Sequence, residues 1–417
     1  MQNTEHLIIG ASASAIACAQ VLKESSPSCD VTTITDESDY PYFRPLIPYI
    51  INGRKNVDDI TMLGSGPYKN KDINVFTNTS AVSVNPLQKL VQTTRGEFSY
   101  KKLLIATGSS PKIPDELKGI NCKGVFALRR LSDAKMLAGM IKDIKEAVLL
   151  GGGLVNLKTA FALVECGIKV TLVVQSLEIL SQLMEPEDAV MLRDVILNAG
   201  VRIITGRKAI GIKEKGDNVV AVILDEYQEI PCQVVCIGKG VSPNVDFLQG
   251  SGIELDGGVV VDRFTKTNLQ DIYAAGDVAV TFNPITGQRI TTALWTNAVE
   301  MGRCAGLNML GYKTSYSGTF GIMNATQIGG IPFVSMGSVH TKDKDYEAHR
   351  HSTKTSYRKI VFSGNGSRLI GAIFIGDITN AGIYRYIIRE GIDITKIKDL
   401  IIEHKVHYGH LIQTTQK

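Results

Sequence analysis

Short apolar runs recur along this chain, and glycine or other small residues end most of them before a stretch of helical spacing begins. HLII (6–9) leads into Gly10-Ala11-Ser12-Ala13-Ser14-Ala15 and then into IACAQVLKE, where apolar residues return every three or four positions. VTTIT (31–35) follows as another apolar run. The same order reappears in AVLLGGG (147–153), LVNLKTAFALVECG and KVTLVV (169–174). Strand, turn, helix, strand is the order of a parallel βαβ unit, so the chain is expected to carry two of them and to be an α/β protein.

From Gly200 to Asn244 short β-type runs alternate with turn residues, which predicts a β-meander closing the second unit. Near the end, RLIGAIFIGDITNAGIYRYIIREGIDI reads as an apolar strand, a Gly-Asp turn and an amphipathic helix. The expected architecture is two Rossmann-like units plus a small α+β C-terminal domain. At 417 residues the chain is long enough for two or three domains of about 100–200 residues.

A hydrophobic fraction of 44% and a charged fraction of 21% are those of a globular protein rather than a disordered one. The N-terminus has no basic stretch before its apolar run, and no segment reaches the ~18–20 apolar residues of a membrane span, so a cytoplasmic location is expected, without membrane association. A net charge of +4 is too small to argue for nucleic acid as a partner. The tract from His340 to Lys359 is locally basic and reads as a solvated loop. The seven cysteines, at 18, 29, 122, 166, 232, 236 and 304, contain no C-x-x-C pair and no metal-ligand spacing, so neither zinc nor a vicinal redox disulfide is indicated. Cys232 and Cys236 are expected to pack in the core.

Gly10 to Ala15 resembles the G-x-G-x-x-G/A dinucleotide fingerprint with Ser12 at the middle glycine. Gly10 permits the tight turn, the small Ser12 lets a pyrophosphate approach the backbone, and Ala15 allows close helix-to-strand packing, with Ser14 a further cofactor-binding candidate in the same turn. The pyrophosphate would lie at the helix N-terminus, where free N–H groups and the dipole favour an anion. Asp36, or Glu37 beside it, ends the next strand at the spacing of an acid that bonds the adenosine ribose.

Four further segments resemble the flavoproteins of the pyridine nucleotide-disulfide oxidoreductase superfamily along almost the whole chain. YKKLLIATGSSPKIP (100–114), with Ala106, Thr107 and Gly108, resembles the link between flavin and nicotinamide domains, and NLQDIYAAGDV (268–278) resembles the second flavin signature. The resemblance implies two Rossmann-like dinucleotide-binding domains, FAD on the first (1–112 with 241–316) and NAD(P)H on the second (113–240) inserted in it, a C-terminal domain at 317–417, and Gly276 with Asp277 at the flavin's ribityl chain. Where disulfide reductases carry a redox cysteine this chain has Pro45, and Arg44-Pro45 resembles the Y-x-R-P segment of rubredoxin and ferredoxin reductases and of the flavin half of NADH-dependent nitrite reductases. Trp295 resembles the start of the helix that these relatives point at the isoalloxazine ring, where its positive end would favour a reduced, anionic flavin.

In the second unit Gly151 and Gly153 match the first two fingerprint glycines, with Leu154 and Val155 opening the helix; Gly238 ends a later strand and completes the expected nucleotide site. Asn156 stands at the third glycine and is expected to crowd the helix against the strand. Lys158 stands where relatives have a glutamate near the nicotinamide, and Tyr49 where ferredoxin reductases have a lysine. After Val174 come Gln175 and Ser176, neither an acid for a 2′-hydroxyl nor an arginine for a 2′-phosphate, so NADH is only slightly favoured over NADPH.

The resemblance implies an enzyme that moves hydride between nicotinamide and flavin, and electrons to or from a ferredoxin-like or rubredoxin-like protein. Arg44, Lys158 and Trp295 are the expected residues of the reaction chamber. Two other readings stay open: a thiol-free NAD(P)H oxidase, and a flavin-bearing interaction protein whose altered second fingerprint impairs turnover. Whether the chain forms a homo-oligomer or a hetero-complex is not legible.

Overall fold

A computed structural model of the chain describes residues 1–62, 72–284, 287–319, 321–342 and 345–415. The chain divides into two compact units, the first made of Met1–Lys112, Ala127–Ile141 and Gly240–Thr319, the second of Ile113–Phe126, Lys142–Lys239 and Phe320–Lys417.

In the first unit the apolar run at the N-terminus is the strand Gln2–Ile9, lying parallel between Val31–Ile34 and Gly96–Ile105. Leu7, Ile8 and Ile9 are all buried, as a strand covered on both faces requires. Asn74–Phe76 extends one edge, while Ile272–Ala274 pairs parallel with the end of Gly96–Ile105. The helix Ala13–Ser25 has every residue from Ala13 to Leu22 buried. It crosses the helix Trp295–Met309 closely, because a Cβ at Gly302 would stand 2.1 Å from the Ser14 carbonyl oxygen. Only glycine fits there.

The second unit holds a parallel sheet in the order Arg202–Thr205, Lys169–Val174, Glu146–Leu150, Val234–Ile237, Val125–Phe126. The antiparallel strands Ala209–Lys215, Asn218–Leu224 and Glu229–Pro231 form the meander expected after Gly200. Cys232 and Cys236 are both buried, although only Cys236 lies within the strand Val234–Ile237. The C-terminal part of this unit is a five-stranded antiparallel sheet, Ile322–Ile328, Ile331–Gly337, Leu369–Ile375, Tyr357–Ser363, Tyr346–Ser352. The amphipathic helix Ala381–Glu390 buries Ile383, Tyr384, Ile387 and Ile388, the i, i+1, i+4, i+5 stripe visible in the sequence, and Tyr384 packs edge-on against Phe374 of the sheet.

The basic tract 340–359 is not the solvated loop its composition suggests. Most of it is a hairpin of two sheet strands, and Lys359 is fully buried, because acids distant in sequence come to meet it. Among the described residues, no helix is long and apolar enough to cross a membrane.

Candidate functional site

The first glycine turn is built against the end of Gly96–Ile105. Gly10 has a φ of +115°, and a Cβ there would stand 2.1 Å from the Ala106 carbonyl oxygen, so glycine is required by both conformation and space. Ser12 precedes the helix Ala13–Ser25, whose start has no side-chain cap and no acid in its first turn. Ser14 donates to the Ala275 carbonyl at 3.1 Å, and a Cβ at Gly276 would meet Ser14 Oγ at 2.6 Å. The residues 10–15 and 275–277, far apart in sequence, therefore form one continuous edge. Uncapped N–H groups beside a carboxylate, with nothing larger than serine between them, fit a pyrophosphate and a polyol.

Around that edge lies a charged network that includes residues the sequence reading did not single out. Arg129 Nη2 donates to Asp277 Oδ2 at 2.8 Å and to Ser109 Oγ at 2.9 Å, while its Nε reaches the Ser109 carbonyl at 3.0 Å. Arg44 donates to the Arg129 carbonyl and, at 2.8 Å, to Glu37 Oε1. Tyr42 donates to Glu37 Oε2 at 2.6 Å and accepts from the Leu131 N–H at 3.0 Å. Burial, only partly offset by Arg44, pushes the Tyr42 hydroxyl well above its ordinary range, so it remains a donor. Asp36 is half-exposed and pairs with Arg130. Of the two acids expected at the ribose, Glu37 thus already has both oxygens engaged and Asp36 is the more open one.

Thr107 and Gly108 are held by Asn244, another residue missed, through a Thr107 Oγ1 bond to the Asn244 carbonyl, an Asn244 Nδ2 bond to the Thr107 carbonyl, both at 2.9 Å, and an Asn244 N–H bond to Gly108. Arg44 and Pro45 lie in a short 3-10 turn, with Pro45 exposed. Phe43 joins this turn to Trp295, their ring centroids 5.9 Å apart, and Trp295 opens a helix with no acid in its first turn. Arg44 and Trp295 therefore flank one residue. Tyr49 lies in the following turn, Pro48–Ile51.

In the second unit Gly151 has a φ of +111° and its absent Cβ would fall 2.2 Å from the Gly238 carbonyl oxygen. Gly153 caps the helix Leu154–Glu165 without a side-chain bond, and no acid stands in its first turn. The expectation that Asn156 crowds the helix is corrected by its partners. Its side-chain amide is buried and donates to the Leu150 and Gly151 carbonyls at 2.9 and 2.8 Å. Gly238 makes the room, since a Cβ there would be 2.7 Å from that amide. The turn keeps its shape with a bonded amide in place of a third glycine. Val155 is exposed, and Lys158, one turn further along the same face, is half-buried and makes no ion pair among the described residues. Burial pulls its ammonium below the usual lysine range. Gln175 is exposed at the end of Lys169–Val174; the first acid after it, Glu178, is buried against Arg193 and the Ile179 N–H.

The cysteines are poorly suited to thiol chemistry. Burial raises the thiols of Cys18, Cys29, Cys122 and Cys166, and pushes Cys232 up to about 12 and Cys304 up to about 11.

A family model described as pyridine nucleotide-disulphide oxidoreductase matches residues 4–302, and one described as the rubredoxin NAD+ reductase C-terminal domain matches residues 323–392. The chain is 26% identical over 418 residues to the epsilon subunit of NADH-dependent phenylglyoxylate dehydrogenase from Aromatoleum evansii, covering 99% of this chain and 98% of that protein. It is 29% identical over 381 residues to an NADH-rubredoxin oxidoreductase from Clostridium acetobutylicum, covering 91% and 93%. The solved structure of NADH:rubredoxin oxidoreductase from that organism superposes with a TM-score of 0.77 at 26% identity, covering 97% of this chain and 100% of that one.

Proposed function

We propose a function from one premise: the chain belongs to the pyridine nucleotide-disulphide oxidoreductase family. It is an FAD-dependent NAD(P)H oxidoreductase of the thiol-free kind, and it exchanges electrons with an iron–sulfur or rubredoxin-like protein. The chemistry a bound FAD supplies is acceptance of a hydride from a nicotinamide nucleotide and release of its electrons one at a time.

The observation that carries this reading is the meeting of Asp277 with Arg129 and Ser109 beside the uncapped helix Ala13–Ser25. Asp277 and the free N–H groups of Ser12 to Ala15 hold a ribityl chain and a pyrophosphate, Ala106 to Gly108 line the same edge, and Arg129 and Ser109 keep the Asp277 carboxylate aimed. Asp36 takes the adenosine ribose, with Glu37 fixing Arg44 beside Pro45. In the second unit the turn Gly151–Gly153, the helix start at Leu154 and Val155, Gly238 and Gln175 hold the nicotinamide nucleotide, with NADH favoured. Arg44, Lys158 and Trp295 serve the hydride-transfer chamber. We read 1–112 with 241–316 as the flavin domain, 113–240 as the nicotinamide domain apart from Ala127–Ile141, which belongs with the flavin unit, and 317–417 as the C-terminal domain. Seven free cysteines suit the reducing cytoplasm.

Both relatives are named for NADH, and one for rubredoxin, which favours a protein acceptor over dioxygen. The test is to reduce the protein with NADH without oxygen and then add either oxidised rubredoxin, oxidised ferredoxin or dissolved oxygen. Faster reoxidation by one of the proteins supports the reading; reoxidation fastest by oxygen makes the chain an oxidase.

A further inference from the structure

The loop that follows Lys169–Val174 is held at two points, and the two lie only a few residues apart. At the first, Leu180 N–H donates to the Gly152 carbonyl at 3.0 Å, and Ile179 Cα would stand 3.1 Å from a Cβ at Gly152, so the loop backs the middle of the second glycine turn. Leu180 itself has a φ of +52°, a conformation that a leucine holds only when its surroundings impose it.

The second point is a few residues further on, where the C-terminal sheet holds the same loop. Ser335 Oγ donates to the Leu183 carbonyl at 2.9 Å, and Thr341 and Lys342 N–H groups reach Glu185 Oε1 at 2.7 and 3.0 Å. Lys359 Nζ bonds both Glu185 and Asp188, Arg350 Nε lies 3.1 Å from Asp188 Oδ1, and Tyr357 donates its hydroxyl to the same carboxylate. Strand register explains how one sheet can do this: Ser335 pairs with Ile373, Ile373 with Lys359 and Lys359 with Arg350, so all four lie in one row across a single face.

Lys359 and the Asp188 side chain are fully buried and Glu185 nearly so. Such a cluster tolerates no missing member, since removing one partner strands the others without water. Burial raises the Glu185 carboxyl, but Lys359 and the Thr341 and Lys342 N–H groups overcome it and hold the carboxyl down at about 2. The clamp is therefore closed throughout the neutral range.

From this geometry we infer that Lys359 is a positioning residue for the nicotinamide nucleotide. It anchors Glu185 and Asp188, these fix the loop with Leu180 in its strained conformation, and Leu180 braces Gly152 in the turn that faces the pyrophosphate. The C-terminal domain thereby tunes nucleotide affinity without touching the nucleotide. The inference rests on the proposed use of Gly151–Gly153 as a nucleotide site.

The test uses the full, flavin-loaded chain in three forms: wild type, Lys359→Met and the milder Ser335→Ala. Affinity is measured by equilibrium titration with NAD+ and NADP+, and flavin reduction by NADH is followed over a range of concentrations. Mutations that act through such a path typically shift coupling enough to weaken binding about threefold to thirtyfold. We expect that loss in Lys359→Met and a smaller one in Ser335→Ala, falling on the dissociation constant and KM while the limiting reduction rate and flavin content hold. The double variant Lys359→Met/Glu185→Gln removes the stranded charge, so thermal stability should recover while affinity stays weak. A purely structural role would return both together, and that result overturns the inference. Wild-type affinity in Ser335→Ala overturns it as well, even where Lys359→Met does not fold. Failure of the wild type to bind either nucleotide would instead remove the function on which the inference rests.

Discussion

Arg129 Nη2 lies 2.8 Å from Asp277 Oδ2, and Ser109 Oγ donates to that same oxygen at 2.8 Å. Arg129 thereby joins the second flavin signature to the segment after Gly108, and its carbonyl takes Arg44 as well. Asp277→Ala is expected to lower flavin occupancy, because it removes a charge-assisted contact of about 1.5–3 kcal/mol and leaves Arg129 without its partner. Arg129→Ala should do the same by freeing Asp277 to turn away. The check is the flavin-to-protein absorbance ratio after purification without added FAD. Full occupancy in both variants would refute the site.

Much of that site was legible in the sequence because its parts are local. Gly10 and Gly276 mark turns that need positive φ, and Asp277 follows its glycine directly. Arg129 was not legible, since nothing local tells that the chain leaves one unit at Phe126 and returns to the other at Ala127. The one signal was Asp133, whose carboxylate caps the N–H groups of Arg129 and Arg130 and so announces a helix start. Asn156 and Lys359 were misread for the same reason: the Gly238 that makes room for the first and the acids that neutralise the second are distant in sequence.

A chain with all seven cysteines replaced by serine or alanine should, once folded, still pass hydride from NAD(P)H to its flavin. The raised thiols and the proline at position 45 leave no thiolate for a relay. Stopped-flow reduction of the cysteine-free protein is the measurement, and loss of reduction in a folded, flavin-loaded sample would contradict it.

Lys158 carries a pH signature with a definite sign. Its ammonium is held below the ordinary 10.5 by burial, so the charged form destabilises the fold at neutral pH. Lys158→Met should therefore raise thermal stability at neutral pH, and the advantage should shrink as pH climbs through the lowered value towards 10.5. In the flavin-loaded protein the same change, and Lys158→Glu more strongly, should lower the flavin midpoint potential if Lys158 has the role proposed for it in hydride transfer. Melting curves across alkaline pH check the first claim and anaerobic redox titration the second. Unchanged potentials in both variants would place Lys158 outside the chamber.

Glu185 gives the opposite window. Its carboxyl is depressed from 4.5 to about 2, so the stability it contributes is complete above 4.5 and disappears as pH falls towards 2. Urea unfolding midpoints measured from neutral to acid pH should drop over that range in the wild type. Glu185→Gln should flatten the decline, and an identical acid slope in that variant would contradict the role of the Lys359 cluster.

Anaerobic addition of NADH to the purified, flavin-loaded protein tests most directly whether the two glycine turns work as one enzyme. Loss of the oxidised-flavin absorbance, with NADH acting at lower concentration than NADPH, is the predicted result. A flavin that stays oxidised with both nucleotides, in protein that holds its full complement of FAD, would mean that the chain binds flavin without accepting hydride.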